Sequence, residues 1–247
     1  PLHMMGIQLT GHGGPDQLVF RDDIPAPTPG PRDVLIKVSA AGVNNTDINT
    51  RIGWYSKTDG DRSDASWSGE GLHFPRIQGA DVCGEVLAVG AQSDPHLLHK
   101  RVLIEPCLQE ADGKALDRPW YFGSECDGGF AEYTVVAARH AHAIDSALSD
   151  VELASFPCSY STAENMLTRS SVSASDVVLI TGASGGVGSA AIQLAKARGA
   201  RVIAVTSPSK AEALLALGAD RTLDRNDDLA QALGKDSVDV VIDLVAG

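Results

Sequence analysis

Apolar and polar residues alternate in short runs over the first two thirds of the chain. Runs at 7–9, 18–20, 34–43, 82–89, 102–104 and 133–136 are bounded by Gly, Pro and Asp and predict strands. The stretch Pro25-Ala26-Pro27-Thr28-Pro29-Gly30-Pro31 reads as a loop, because each proline removes a backbone donor that a sheet ladder needs. Residues 56–71 are polar and Gly-rich, with Trp54 and Trp67 at or near the ends. A loop this long inside a compact domain is expected either to serve a site or to move. Two short helical stretches, 150–156 and 162–167, close this part. Pro1-Leu2-His3-Met4 reads as an expression scar ahead of a native start at Met4 or Met5 and is left outside the predicted fold.

The pattern changes near 171–176. Val177–Ile180 is wholly apolar, as a strand buried on both faces requires. Residues 186–198 have helical spacing, with Val187, Ala190, Ala191, Leu194 and Ala195 on one face. A second buried strand follows at 202–205. A second helix spans 210–217, with Ser207-Pro208-Ser209 as its start signal and Gly218 as its stop. A short strand at 222–223, a helix at 228–233 and a strand at 238–244 complete the series. This regular alternation predicts a parallel sheet with right-handed crossovers. The fold class is therefore α/β: a β-rich first domain over 4–170, then a doubly wound parallel sheet over 171–247.

The sharpest local signal is Thr181-Gly182-Ala183-Ser184-Gly185-Gly186-Val187-Gly188, directly after a buried strand and opening an amphipathic helix. That context makes it a dinucleotide-binding turn. Ala183 stands where the first glycine of the usual fingerprint would be and permits the tight turn. Gly185 lets backbone N–H groups approach a pyrophosphate, and Gly188 allows close helix–strand packing. The helix N-terminus adds favourable dipole density for phosphates. No Lys-Ser/Thr follows the glycines, which excludes a P-loop. NAD-preferring sites carry an acid near the end of the second strand, where this chain has Thr206. Its absence favours NADP(H), with Ser207, Lys210 and Arg225 as candidates for the 2′-phosphate.

Charge narrows the partners. The 247 residues include 20 Lys+Arg and 32 Asp+Glu, a formal net charge of −12. Phosphate backbones repel such a chain, and no basic run offsets this, so no nucleic-acid partner is expected. No apolar run approaches the roughly 18 residues of a membrane span. The four cysteines, Cys83, Cys107, Cys126 and Cys158, form no C-x-x-C pair. They predict buried thiols in a reducing cytoplasm. The histidines supply no metal pattern: His140 and His142 alternate on a predicted strand, His96 and His99 flank a leucine pair, and all read as packed or surface groups.

Several segments together resemble the medium-chain dehydrogenase/reductase superfamily over nearly the whole chain. They are Pro29-Gly30-Pro31-Arg32-Asp33-Val34-Leu35-Ile36-Lys37-Val38, Ala41-Gly42-Val43-Asn44, Gly79-Ala80-Asp81-Val82-Cys83-Gly84-Glu85-Val86, Gly128-Gly129-Phe130-Ala131-Glu132-Tyr133 and the glycine turn. The resemblance implies a GroES-like catalytic domain followed by a Rossmann domain that is incomplete at the C-terminus, about a quarter of the protein being still to come, and a homodimer at full length. The glycine turn is most similar to quinone oxidoreductases and enoyl reductases, which use NADPH on quinones or activated double bonds. The zinc branch would place ligands at Asn44, Ala80 and Cys158; only Cys158 could ligate, and the four-cysteine structural lobe is missing, so no metal is expected.

Without a metal, the substrate must be polarised by hydrogen bonding and proton donation. Tyr55 falls where enoyl reductases carry a catalytic tyrosine. Asn44 resembles the asparagine of quinone oxidoreductases, and Thr46 could add a hydroxyl. The bland readings are a packed aromatic for Tyr55 and helix capping for Asn44 and Asn45. Asn44-Asn45-Thr46 also satisfies a glycosylation sequon. Two other functions stay open: a zinc-type alcohol or aldehyde dehydrogenase with a rearranged Asp47, Asp81 and Cys158 site, and a nonenzymatic crystallin-like NADPH-binding protein.

Overall fold

The computed structural model describes residues 2–57 and 65–245. The chain divides into two compact units, Pro1–Cys158 and Ser159–Gly247.

The first unit is antiparallel. Its elements are β1 (His3–Leu9), β2 (Leu18–Pro25), β3 (Asp33–Gly42), α1 (Asn45–Ile52), β4 (Arg76–Ile77), β5 (Asp81–Val89), β6 (Arg101–Ile104), β7 (Cys107–Ala111), β8 (Lys114–Tyr121), β9 (Tyr133–Ala137), β10 (Ala141–Ala143) and α2 (Asp150–Leu153). The main sheet has the order β10-β6-β5-β3-β9, a smaller sheet the order β2-β1-β4, and β7 and β8 form a hairpin. Val34, Ile36, Val82, Val86, Val102 and Ile104 are fully buried, so alternate residues of β3, β5 and β6 face one core. The expectation that the first residues stay outside the fold is corrected: His3 and Met4 belong to β1, and Met4 is buried with Ile24 and Ile77. Pairing with β2 draws them in, through the register pairs His3↔Pro25 and Met4↔Ile24.

Helix α1, strand β4 and the hairpin strands β7 and β8 went unread in the sequence. Helix α1 is almost wholly polar and is defined by its ends: Asn44 is the N-cap, and Gly53, at φ 72, is the left-handed C-cap. Hairpin β7–β8 turns through Asp112 at φ 51 and Gly113 at φ 72. This is the two-residue turn that an Asp-Gly pair specifies. His140 lies in a short 3-10 turn, Ala138–His140, and not on a strand; His142 lies in β10. His140 is 1% exposed, bonds Glu105 Oε2 through Nδ1 (3.0 Å), and accepts from the Gln109 and Glu110 N–H groups through Nε2 (3.1 and 3.2 Å).

The second unit holds most of α3 (Pro157–Arg169), then β11 (Val177–Ile180), α4 (Gly186–Ala197), β12 (Arg201–Thr206), α5 (Ala211–Leu217), β13 (Arg221–Asp224), α6 (Leu229–Leu233) and β14 (Val240–Ile242). All four strands are parallel, in the order β13-β12-β11-β14. Val178, Ile180, Val202 and Ala204 pack against buried residues of α3, α4 and α5. Leu179, Ile203, Val205 and Leu223 point to the other face and meet Leu229 and Leu233. The sheet is thus covered on both sides, as the unbroken apolar strands require. Ala163 and Leu167 of α3 belong to this core, which explains why the units divide in the first turn of that helix.

Candidate active site

Strands β3 and β5 pair with Gly42 opposite Asp81. A Cβ on Gly42 would lie 2.6 Å from the Ala154 carbonyl, so the close approach needs glycine. The chain then leaves β3 and enters α1 through Asn44, and the register sets Asn44 beside Asp81. Asn44 Nδ2 donates to Asp81 Oδ2 at 2.9 Å, and the Cys158 N–H donates to Asp81 Oδ1 at 2.7 Å. Asp81 is 1% exposed; burial pushes its carboxyl up, and these two donors pull it back.

Asp47, in the first turn of α1, accepts from the Asn44 N–H (2.8 Å) and the Gly79 N–H (3.2 Å). Its own carbonyl accepts from Gln78 Nε2 at 2.8 Å. Burial raises the Asp47 carboxyl to about 6, with a further push from Asp81 and opposition from the backbone donors. Beside it in the same turn, Thr46 Oγ1 and Tyr55 Oη share a hydrogen bond of 2.9 Å. Tyr121 Oη donates to Cys158 Sγ at 3.1 Å, and the Trp67 ring packs 5.0 Å from the Tyr121 ring. Burial and the neighbouring thiol hold the Tyr121 phenol far above its usual range. The sequon amide of Asn44 is thus engaged by a buried carboxylate and is not presented as a free acceptor for sugar.

In the second unit, consecutive crossovers diverge between β11 and β14, with β12 and β13 on one side. Open parallel sheets bind ligands outside the carboxyl ends of the strands at such a switch point. A cleft of about 560 Å³ lies there, lined by Thr181, Gly182, Ser184, Thr206, Ser207 and Lys210, with Arg225 and Asn226 opposite in the chain order. The remaining turn residues serve packing more than lining. Ala183 is fully buried and Val187 packs against the same core. A Cβ on Gly188 would lie 2.6 Å from Ala183 Cα and from the Gly182 carbonyl, which fixes glycine by helix–strand contact. At Gly185, the N-cap of α4, a Cβ would meet only the Gly182 carbonyl at 3.6 Å, leaving open space at the helix N-terminus. Gly186 starts the helix beside Ser159. Thr206 is 5% exposed and its Oγ1 has no partner, so the end of β12 holds an unsatisfied hydroxyl and no acid. Asp243, also in the cleft, is bonded by Thr181 Oγ1 at 2.5 Å.

Residues 30–146 match the model of the alcohol dehydrogenase GroES-like domain, and residues 186–247 match that of the zinc-binding dehydrogenases. A solved structure from Sinorhizobium meliloti 1021, described as an alcohol dehydrogenase, is 46% identical and superposes with a TM-score of 0.89. It covers all of this chain (100%), and the match takes in 70% of that chain. The chain belongs to the medium-chain dehydrogenase/reductase superfamily. Human quinone oxidoreductase is 29% identical over 98% of this chain. The chloroplastic NADPH-dependent alkenal/one oxidoreductase of Arabidopsis thaliana is 32% identical over 99%. The chain spans 67% of the human enzyme and 58% of the plant one.

The superfamily includes zinc enzymes, so the three matching positions were tested for fit. Asn44 spends an amide hydrogen on Asp81, Ala80 has no donor atom, and Cys158 Sγ accepts from Tyr121. Among the described residues no three His, Cys, Asp or Glu side chains converge as a metal set. The residues at these positions do not fit a zinc ion. Of the residues expected from sequence, Thr46 and Tyr55 are joined directly, while Asn44 is joined to Asp81. Residues 58–64 of the expected loop lie outside the described residues; its end is tied down by Trp67 N–H to Ser124 Oγ (2.9 Å). Sequence reasoning missed Asp81 as a partner of Asn44, although an acid heading a largely apolar strand was a usable signal. Tyr121 carried none.

Proposed function

We propose that this chain supplies the substrate-side unit and most of the nucleotide-side unit of an NADPH-dependent reductase acting on quinones or activated double bonds without a metal. The observation that carries the cofactor choice is the cleft at the β12 end. It joins Lys210 and Arg225 and has Thr206 where an acid would repel a 2′-phosphate. The names of the human and Arabidopsis relatives support the same reaction class.

The residues fit the dinucleotide: space is open at Gly185, the N-cap of α4, and the cleft lined by Gly182 and Ser184 is also lined by the cations Lys210 and Arg225. Bound there, the nicotinamide supplies a hydride. Lys210 and Arg225 hold the 2′-phosphate, with Ser207 as a further donor. In the first unit, the Tyr55 hydroxyl, bonded to Thr46, gives the proton to the substrate atom that has gained electron density. Asn44 adds a hydrogen bond to the substrate oxygen. The proton that Tyr55 gives would be replaced from water.

The test is NADPH oxidation with 1,4-benzoquinone and trans-2-hexenal, before and after dialysis against a strong chelator. The reading predicts turnover that dialysis leaves unchanged and that Tyr55→Phe lowers about a hundredfold. Loss of turnover on dialysis, restored by zinc, contradicts it and favours the atypical metal site.

A further inference from the structure

Asp81 has both carboxylate oxygens committed, one to Asn44 Nδ2 at 2.9 Å and one to the Cys158 N–H at 2.7 Å, in a position 1% exposed. A carboxylate can only accept, so the end of the Asn44 amide that faces it has to be the nitrogen. Turning the amide over would set oxygen against oxygen where solvent does not reach, at the full expense of two unmatched polar groups. The Cys158 N–H stops the carboxylate from rotating away. The Asn44 carboxamide oxygen turns toward the Asp47 N–H in a capping-box arrangement at the head of α1 without a full hydrogen bond, while the Asn44 N–H donates to Asp47 Oδ2 at 2.8 Å. What remains for a reactant is the second hydrogen on Nδ2, and Asn44 is only half-buried.

We propose that Asp81 is a positioning residue that sets the polarity of the Asn44 amide, so that Asn44 meets a substrate as an N–H donor and never as a carbonyl acceptor. The catalytic part of this inference rests on the reductase reading above; the orientation of the amide does not. A donor fixed before the reaction suits an oxygen that gains negative charge as hydride arrives, since no reorganisation is then needed. The β3–β5 register is what makes this possible: it joins the start of a buried strand to the residue that caps the next helix.

Two measurements test it. In wild-type protein labelled with ¹⁵N, the Asn44 side-chain amide, assigned by its loss in Asn44→Ala, should show one Nδ2 proton far downfield and slow to exchange. In Asp81→Asn that proton should move back upfield. With NADPH and 1,4-benzoquinone, Asn44→Ala and Asp81→Asn should each lower kcat about tenfold to a hundredfold while KM for the quinone changes little. The double variant should be no slower than Asn44→Ala alone, because residues acting through one another are not additive. Additive losses, or an Asn44 proton indifferent to Asp81→Asn, overturn the proposal. If Asp81→Asn does not fold, the wild-type spectrum still decides: two similar, rapidly exchanging Nδ2 protons contradict it. If wild-type protein turns over neither 1,4-benzoquinone nor trans-2-hexenal, the reductase reading fails, and the spectrum alone tests the orientation.

Discussion

At Asp47 the expense of burying a carboxyl becomes a pH effect. Its folded value of about 6 lies above the ordinary value of 3.8, so between these values the native state holds a proton that the unfolded chain has released. Stability therefore falls as pH rises between these values, by about 3 kcal/mol when the loss is complete. Asp47→Asn removes the titration and keeps an oxygen to accept a backbone N–H. Urea unfolding from pH 4 to 7 should show wild-type protein losing stability relative to this variant as pH rises. A constant difference contradicts the burial argument. Asp81 is shifted in the same direction but is present in both proteins, so it largely cancels. The residue scale is also where the sequence was least legible. Asn44, Thr46 and Tyr55 could be picked out, but their partners depend on register: Asp81 lies thirty-seven positions from Asn44 and meets it only because Gly42 pairs with Asp81.

Two glycines of one turn separate folding from binding at the scale of the element. Gly188→Ala forces a Cβ against backbone at 2.6 Å and should destabilise the second unit by about 1–3 kcal/mol, read as a lower urea midpoint. Gly185→Ala meets one carbonyl at 3.6 Å, at an ordinary φ of −76, so the fold should hold. Its new methyl group occupies the space at the helix N-terminus, and NADPH affinity should fall by at least roughly tenfold. Equal behaviour of the two variants would remove the distinction. His140 plays a purely structural part. Replacing it by Ala leaves the Gln109 and Glu110 N–H groups without their acceptor, and should cost about 2–4 kcal/mol, with amide exchange rising first in β7 and β8. Protection unchanged in that hairpin would show that His140 does not hold it. Strands β11 and β12 were legible because they carry unbroken apolar runs, Val177–Ile180 and 202–205, on either side of an amphipathic helix. Hairpin β7–β8 was not, because β8 is mostly exposed and has no clean alternation, even though Asp112-Gly113 announced the turn. Helix α1 escaped because its polar residues give no apolar stripe; its caps alone define it.

For the whole molecule, superfamily membership, the antiparallel first unit and the parallel second unit agree with one another and with the order of motifs along the chain. No described helix is long and apolar enough to cross a membrane, and none of the four cysteines is in a disulfide. A chain of net charge −12 gathers Lys210 and Arg225 at one cleft, so binding of a 2′-phosphate there should weaken as salt is raised. The central claim is the preference for NADPH, and calorimetric titration of the protein with NADPH and with NADH tests it most directly. The account predicts that NADPH binds at least roughly tenfold more tightly at low salt, and that Lys210→Ala with Arg225→Ala brings the two cofactors close together. Equal or tighter binding of NADH by the unaltered protein would contradict it.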